Sequence, residues 1–388
     1  MPKVLEGVRV ADFTQIMGGS SGTMFLADLG ADVVKVENTD IGDFARVSLP
    51  FLFESVNRSK RSLSVDLGTD RGIEIAKRLA LSSDVVVQGY RPGALAKKGL
   101  GPTDLRDENP RLIYLSLSGF GAEGPGQGRR GIDQLIQVET GMAAVMDGVN
   151  QRLGLVDAAA GIAIGQAALA ALYRREREGV GSELEVTLYD TSLWLQMLPI
   201  AEYSVTRVPP QAPAEYELRI PTMGVFETVD GRVFMAILNE VEWLGLCEML
   251  GRPEWVDDPR FCDRTSRGQN GAPLRSLIAD AVRRFDKATL VADGERRQLM
   301  ISSVKDYDDV FADPQAAVNE SFDTVPTADG AELVQVRGPY RFLGEEVMVR
   351  PPRRAPRLGE DSDEVMAQLG YTEDEVAALR RDGVVAGS

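Results

Sequence analysis

The sequence predicts an α/β fold built on a parallel sheet with helices on both faces. Two observations carry this expectation. Strand and helix signals alternate through the first 120 residues. The 388-residue chain is 44% hydrophobic and 26% charged, as in a globular protein able to bury a large core. Residues 8–13 read as a first strand, and the glycines and serines of 18–22 as a turn opening a helix through 23–29. Residues 32–37 form a second strand and 63–67 a third. Apolar positions 73, 75, 76, 79 and 80 predict a helix over 71–81. Strands follow at 84–88 and 112–117, then a long Ala-rich helix over 157–178 that stops at Gly179, then a strand at 184–188. A second region, 220–325, opens with a hairpin around Asp230-Gly231 and continues with helices near 241–250, 273–285 and 288–298. Pro351, Pro352 and Pro356 mark a connector, and 361–384 reads as two short helices.

Length and charge narrow the function classes. At about 150 residues per domain, the chain fits two or three domains. It contains no histidine, which excludes Ser-His-Asp and Cys-His triads, His-ligated zinc and imidazole relays. Any chemistry must run on carboxylates, hydroxyls, amides, Lys, Arg or backbone N–H groups, and no metal site is expected. The net charge of −16 argues against a nucleic-acid partner but leaves room for an anionic small ligand held by local Arg and Lys. Cys247 and Cys262 make no disulfide framework and fit a reducing cytoplasm. Residues 1–13 lack the apolar core of a signal peptide. The most apolar stretch, 153–173, contains Asp157 and Gln166 and reads as a buried helix, not a membrane span.

Four places could carry chemistry. The 18–22 turn suits an anion at a helix N-terminus, although it matches neither GxGxxG nor a Walker A motif. Three basic segments lie near strand ends: Arg58, Lys60 and Arg61; Tyr90-Arg91 with Lys97 and Lys98; and Arg129-Arg130. Ligands in open α/β sheets bind beyond the carboxyl ends of strands, so a polyanion such as a nucleotide-bearing cofactor is plausible. Asp157 stands at the expected start of the long helix, among small neighbours. It reads either as an N-cap or as a carboxylate held ionised by the helix N-terminus, able to attack an activated acyl group. Asp12, Asp66, Asp133 and Asp190 read as caps or turns. Cys247 reads as a core thiol among Trp243, Leu246 and Met249.

The order and spacing of several segments resemble the class III CoA-transferases. These segments are 5–14, 26–37, 57–62 with Asp66-Leu67, Arg91-Pro92-Gly93, 109–114, 118–121, Gly124-Pro125 and 355–360. The resemblance implies a large Rossmann-like domain from 1–215 and 330–388, a smaller inserted α+β domain over 220–325, and an interlocked homodimer. It implies a catalytic aspartate at Asp157 and coenzyme A contacts at Met17, Val65, Asp66, Leu67, Tyr90, Arg91, Lys97 and Arg130. Coenzyme A and acyl-CoA would be substrates, with no tightly bound cofactor. Asn38 departs from the family, which often has Arg there. Where the family's racemases hold a proton-transferring His, this chain has Ile132, which cannot exchange protons.

The expected activity is CoA transfer through an aspartyl–acyl anhydride and an aspartyl–CoA thioester on Asp157. Two alternatives stand beside it: an epimerase or isomerase pairing Asp157 with a base such as Glu139, and a non-catalytic acyl-CoA-binding protein. The resemblance implies a glycine-rich loop over the site in the family's formyl-CoA transferases; the corresponding residues 216–224 show no poly-Gly run, so oxalate is not the favoured acceptor. Met17, Met142 and Phe226 are candidates both for an acyl pocket and for core.

Overall fold

The structure is a computed structural model that describes residues 2–210, 217–327 and 329–387; Tyr216, from the stretch without a poly-Gly run, lies outside them. The chain divides into two compact units, one of residues 1–143, 149–202 and 320–388, the other of 144–148 and 203–319.

The first unit is built on a seven-stranded sheet. Its strands are β1 (Arg9–Phe13), β2 (Asp32–Glu37), β3 (Arg61–Val65), β4 (Val85–Gln88), β5 (Ile113–Ser118), β6 (Glu183–Thr187) and, from the far end of the chain, the short β12 (Val385–Ala386). The order is β12-β3-β2-β1-β4-β5-β6; every neighbour pair is parallel except β12 with β3. Successive side chains supply opposite faces, as a sheet covered on both sides requires. On β4, Val86 joins one core with Phe13, Leu63, Ile75 and Leu79, while Val85 and Val87 join the other with Leu26, Ile113, Ile164 and Leu172. The C-terminal helices Ser362–Gln368 and Glu373–Arg381 close the first of these cores with Val365, Met366 and Leu379. Sequence order alone gave no sign of β12, which is two residues long.

Helix α1 (Gly18–Asp28) starts at Gly18, so the glycines and serines expected in a turn are helical. The reason is packing. A β-carbon on Gly22 would lie 2.5 Å from Ile164 Cγ2, and one on Gly161 2.0 Å from Ser21 Oγ. These glycines let α1 and the long helix Leu155–Glu178 approach at backbone distance. By length and composition the long helix is apolar enough to cross a membrane. Here it packs Val156, Ala160, Ile164, Ala168 and Leu172 inward, and its buried Arg175 pairs with Asp84 at 2.9 Å.

The second unit holds an antiparallel three-stranded sheet of β7 (Met223–Thr228), β8 (Gly231–Ala236) and β9 (Met300–Ser303). Thr228 pairs with Gly231, so the hairpin is present as expected but its two-residue turn is Val229-Asp230, one position before the expected Asp230-Gly231. Helices Glu240–Met249, Gly271–Val282 and Lys287–Arg296 supply Trp243, Cys247, Leu274, Ile278 and Leu290 to its core. Burial pushes the Cys247 thiol up to about 12, which makes it an inert core group. Phe226 and Met142 are both buried. Within the first unit, β10 (Phe322–Pro326) and β11 (Glu332–Val336) form a separate antiparallel ribbon.

Candidate active site

Asp157 lies in the first turn of the long helix and is not its cap. Gly154 takes the N-cap position with φ 53° and ψ 52°, a left-handed conformation that favours glycine. The first-turn N–H groups of Val156 and Asp157 donate to Asp133 Oδ2, at 2.7 and 2.9 Å. Asp133 is buried and is held through its other oxygen by Gln137 Nε2. A cap supplied from 24 residues upstream therefore leaves the Asp157 side chain free for another role.

The half-buried carboxyl faces the start of α1. A β-carbon on Gly18 would lie 3.0 Å from Asp157 Oδ1 and 3.2 Å from Leu117 Cδ2. Met17 Sδ crowds Gly154, 2.7 Å from where a β-carbon would stand. Gly18 is the first residue of α1, so its N–H and that of Gly19 have no acceptor within the helix. Two helix N-termini thus meet at this carboxyl. Even so, burial first, and the Asp133 charge second, push Asp157 up from 3.8 to about 7. This reverses the expectation of a carboxylate held ionised by its own helix. The physical reason is that Asp133 takes the N–H groups that would have stabilised the charge and adds a negative charge of its own.

The sheet order reverses direction between β1 and β4, and in such folds ligands bind outside the strand ends at that point. Met17 follows β1, and Tyr90, Arg91 and Lys97 follow β4. Arg91 and Lys97 are exposed. Arg91, Gly93 and Ala96 line a cleft of about 280 Å³ with Tyr114, Ser118 and Glu185. Asp66 and Leu67 form the turn after β3, where Asp66 Oδ1 accepts from Gly68 N at 2.8 Å. Lys98 Nζ donates to Leu67 O at 2.8 Å, which ties this turn to the one after β4. Val65 has a fully buried side chain in the core, so it offers a ligand only the turn that follows it. Arg130 is exposed, and its neighbour Arg129 lies over the Phe120 ring and pairs with Glu139.

Two expectations need correction. Arg58, Lys60 and Arg61 are not available to cradle a phosphate. They are buried and paired with Asp28, Asp12 and Asp32, because β3 and the segment before it run through the interior. Asp12 accepts from Thr14 N in a turn, as expected, and is also fully buried against Lys60. Glu139 is exposed and its Arg129 partner holds it below the usual carboxylate range, which makes it a weaker base. Asn38 spends its side chain on its own loop: Oδ1 accepts from Asp40, Ile41 and Gly42 N–H, and Nδ2 donates to Gly42 O. Sequence reasoning singled out the 18–22 glycines and read Asp133 as a cap or turn, but it missed that Gly18 faces Asp157 and that Asp133 caps the long helix. Paired glycines after a strand hinted at the first; the second joins residues far apart in sequence and leaves no local signal.

The model of CoA-transferase family III matches residues 5–362. The chain is 34% identical to the "probable fatty acyl-CoA transferase Rv3272" of Mycobacterium tuberculosis, over 94% of this chain and 98% of that one. It is 30% identical to the succinate–glutarate CoA-transferase of Agrobacterium fabrum, over 94% and 95% of the two chains. The crystal structure of a CAIB/BAIF family protein from Brucella suis superposes with a TM-score of 0.85 at 29% identity, covering 95% of this chain and all of that one. The parallel sheet, the whole-length family match and these relatives agree: the chain belongs to CoA-transferase family III and is a CoA-transferase.

Proposed function

We propose that this transferase works by covalent catalysis on Asp157, moving CoA from an acyl-CoA donor to a carboxylic acid acceptor. The observation that carries the reading is a half-buried carboxyl, pushed up to about 7, facing the N-terminus of α1 at Gly18. An Asp157 carboxylate oxygen attacks the thioester carbonyl; the new C–O bond forms as the C–S bond breaks, leaving an aspartyl–acyl anhydride and CoA thiolate. The thiolate attacks Asp157 Cγ, the bond from Cγ to the acyl oxygen breaks, and the donor acid departs as carboxylate. The acceptor carboxylate then attacks Cγ, displaces thiolate, and is attacked in turn at its own carbonyl, which regenerates Asp157. Each covalent state removes the buried negative charge, so the burial that raises the Asp157 pKa also favours the anhydride and the thioester. The N–H groups of Gly18 and Gly19 suit the developing oxyanions.

The CoA moiety is assigned to the turns after β1, β3 and β4 and to the 129–130 loop. Met17, Asp66, Leu67 and Tyr90 would form its bed, with the turn that Val65 leads into. Arg91, Lys97 and Arg130 would meet its phosphates. The first unit serves as the large CoA-binding domain and the second as the small domain. The test of the chemistry is chemical trapping: incubate with a panel of acyl-CoA thioesters, quench with hydroxylamine, and look for a hydroxamate at residue 157 by mass spectrometry. No adduct with any thioester would remove the covalent mechanism.

Ionised Asp157 is the attacking form. Below about pH 7 the carboxyl protonates, so kcat/KM for acyl-CoA should fall about tenfold per pH unit there and level off above. A profile flat from pH 5.5 to 8 would contradict this assignment.

An interlocked homodimer is part of the same reading. Tyr173, Trp194 and Leu198 are 66%, 66% and 74% exposed, and Ile162 and Met197 are more than half exposed. Such a group of exposed large apolar side chains is what a dimer interface would cover. Sedimentation at micromolar concentration should give one species of twice the chain mass. A monomer would rule out threaded rings, which separate only by unfolding.

A further inference from the structure

The segment between β1 and α1 contains a backbone strain that a buried ion pair holds in place. Ile16 has φ +62°, a left-handed conformation that a β-branched side chain strongly resists. Its N–H donates to both carboxylate oxygens of Asp43, at 3.1 Å each. Asp43 pairs with Lys35 at 2.9 Å, and both side chains are wholly inaccessible to solvent. Lys35 Nζ also donates to Thr14 O at 2.9 Å and to Ser20 Oγ at 3.2 Å. The pair therefore grips the segment before, at and after the strained residue.

Immediately beyond Ile16 come Met17 and Gly18, whose contacts with Gly154 and Asp157 make one wall of the candidate site. The strain is thus one residue from the surface that faces the carboxyl. A buried pair is weak evidence for stability as such, because apolar residues of like volume often serve as well. A strained conformation persists only where its surroundings over-determine it. Burial opposes the Lys35 charge, yet Asp12, Asp43 and Glu37 outweigh it and hold Lys35 above its ordinary value. Lys35 stays charged throughout the working range.

We propose that Lys35 and Asp43 are positioning residues for the transfer reaction: they hold Ile16 in its left-handed conformation and thereby place Met17 and Gly18 against Asp157. This rests on the reading of Asp157 as nucleophile. A displaced wall would change the fit to the transition state more than the binding of the distant CoA moiety, so the loss should appear in kcat.

The test is a rescue. Asp43→Asn removes the charge and keeps the shape, and it should lower kcat about 10- to 100-fold while KM for acyl-CoA changes less than about threefold. Ile16→Gly adopts φ +62° without strain, so in the D43N background it should recover about tenfold or more of the lost kcat. A purely structural ion pair would show no such recovery. Should D43N fail to accumulate as folded protein, Lys35→Met with Asp43→Asn takes its place under the same criteria. Wild-type kcat in folded D43N would overturn the proposal. So would a lowered kcat, or a failure to fold in both backgrounds, that Ile16→Gly does not restore. Hydroxylamine trapping separates the two ideas. No wild-type adduct at Asp157 means that the nucleophile reading fails; a wild-type adduct formed at the same rate by D43N means that only the positioning role fails.

Discussion

Replacing Asp157 with Asn should lower kcat by about 10³-fold or more and abolish the hydroxylamine-trapped adduct, since an amide cannot attack a thioester. The substitution should leave the fold intact, and its effect on stability has a definite sign. The folded-state pKa of about 7 lies above the ordinary value of 3.8. The folded protein therefore holds this proton more tightly than the unfolded chain. Ionising Asp157 destabilises the fold progressively as pH rises from about 3.8 to about 7, and the full penalty applies above that. Asn carries no such penalty. The difference in Tm between D157N and wild type should accordingly be more positive at pH 8 than at pH 4. Loss of activity with this pH-dependent gain in Tm would separate a chemical role from a structural one. Residual kcat within tenfold of wild type would reject Asp157 as nucleophile.

Gly22→Val should destabilise the first unit by about 3 kcal/mol or more, because its β-carbon alone would lie 2.5 Å from Ile164 Cγ2 and 2.6 Å from Ile164 Cβ. At about 2–4 °C per kcal/mol for a large domain, Tm should fall by roughly 6–12 °C. Activity should fall with it, since this helix pair carries Gly18 and Asp157 at its shared end. Gly165 supplies the internal control. It is one turn along the same long helix as Gly161, but a β-carbon there would meet Phe25 at 3.5 Å, an ordinary contact. Gly165→Ala should be tolerated, or should stabilise through helix propensity by up to about 1 kcal/mol. Equal effects of the two substitutions, read by thermal denaturation, would reject close helix approach as the reason for these glycines.

Much of the fold was legible because its signals are local. Val33, Val34 and Val36, or Val85 to Val87, read as strands buried on both faces, and Ile75, Ala76, Leu79 and Ala80 as one face of a helix. Element order then limits the topology. The glycines of 18–22 misled because glycine serves both turns and close packing, and only the partner helix tells which. The basic stretch 58–61 misled for a related reason. Its cations count as available until Asp28, Asp12 and Asp32 are found beside them, 30, 48 and 29 residues away.

The sequence by itself determined the parallel α/β class, the family and the single carboxylate worth testing, because periodicity, motif order and the absence of histidine are properties of the chain. Tertiary structure alone decided the state of that carboxylate. Asp133 caps the helix, Gly18 opens the wall, and burial raises the pKa to about 7. Burial, electrostatic coupling and close backbone approach are sums over neighbours that folding brings together. The cap joins residues 23 and 24 positions apart, and no local pattern records it.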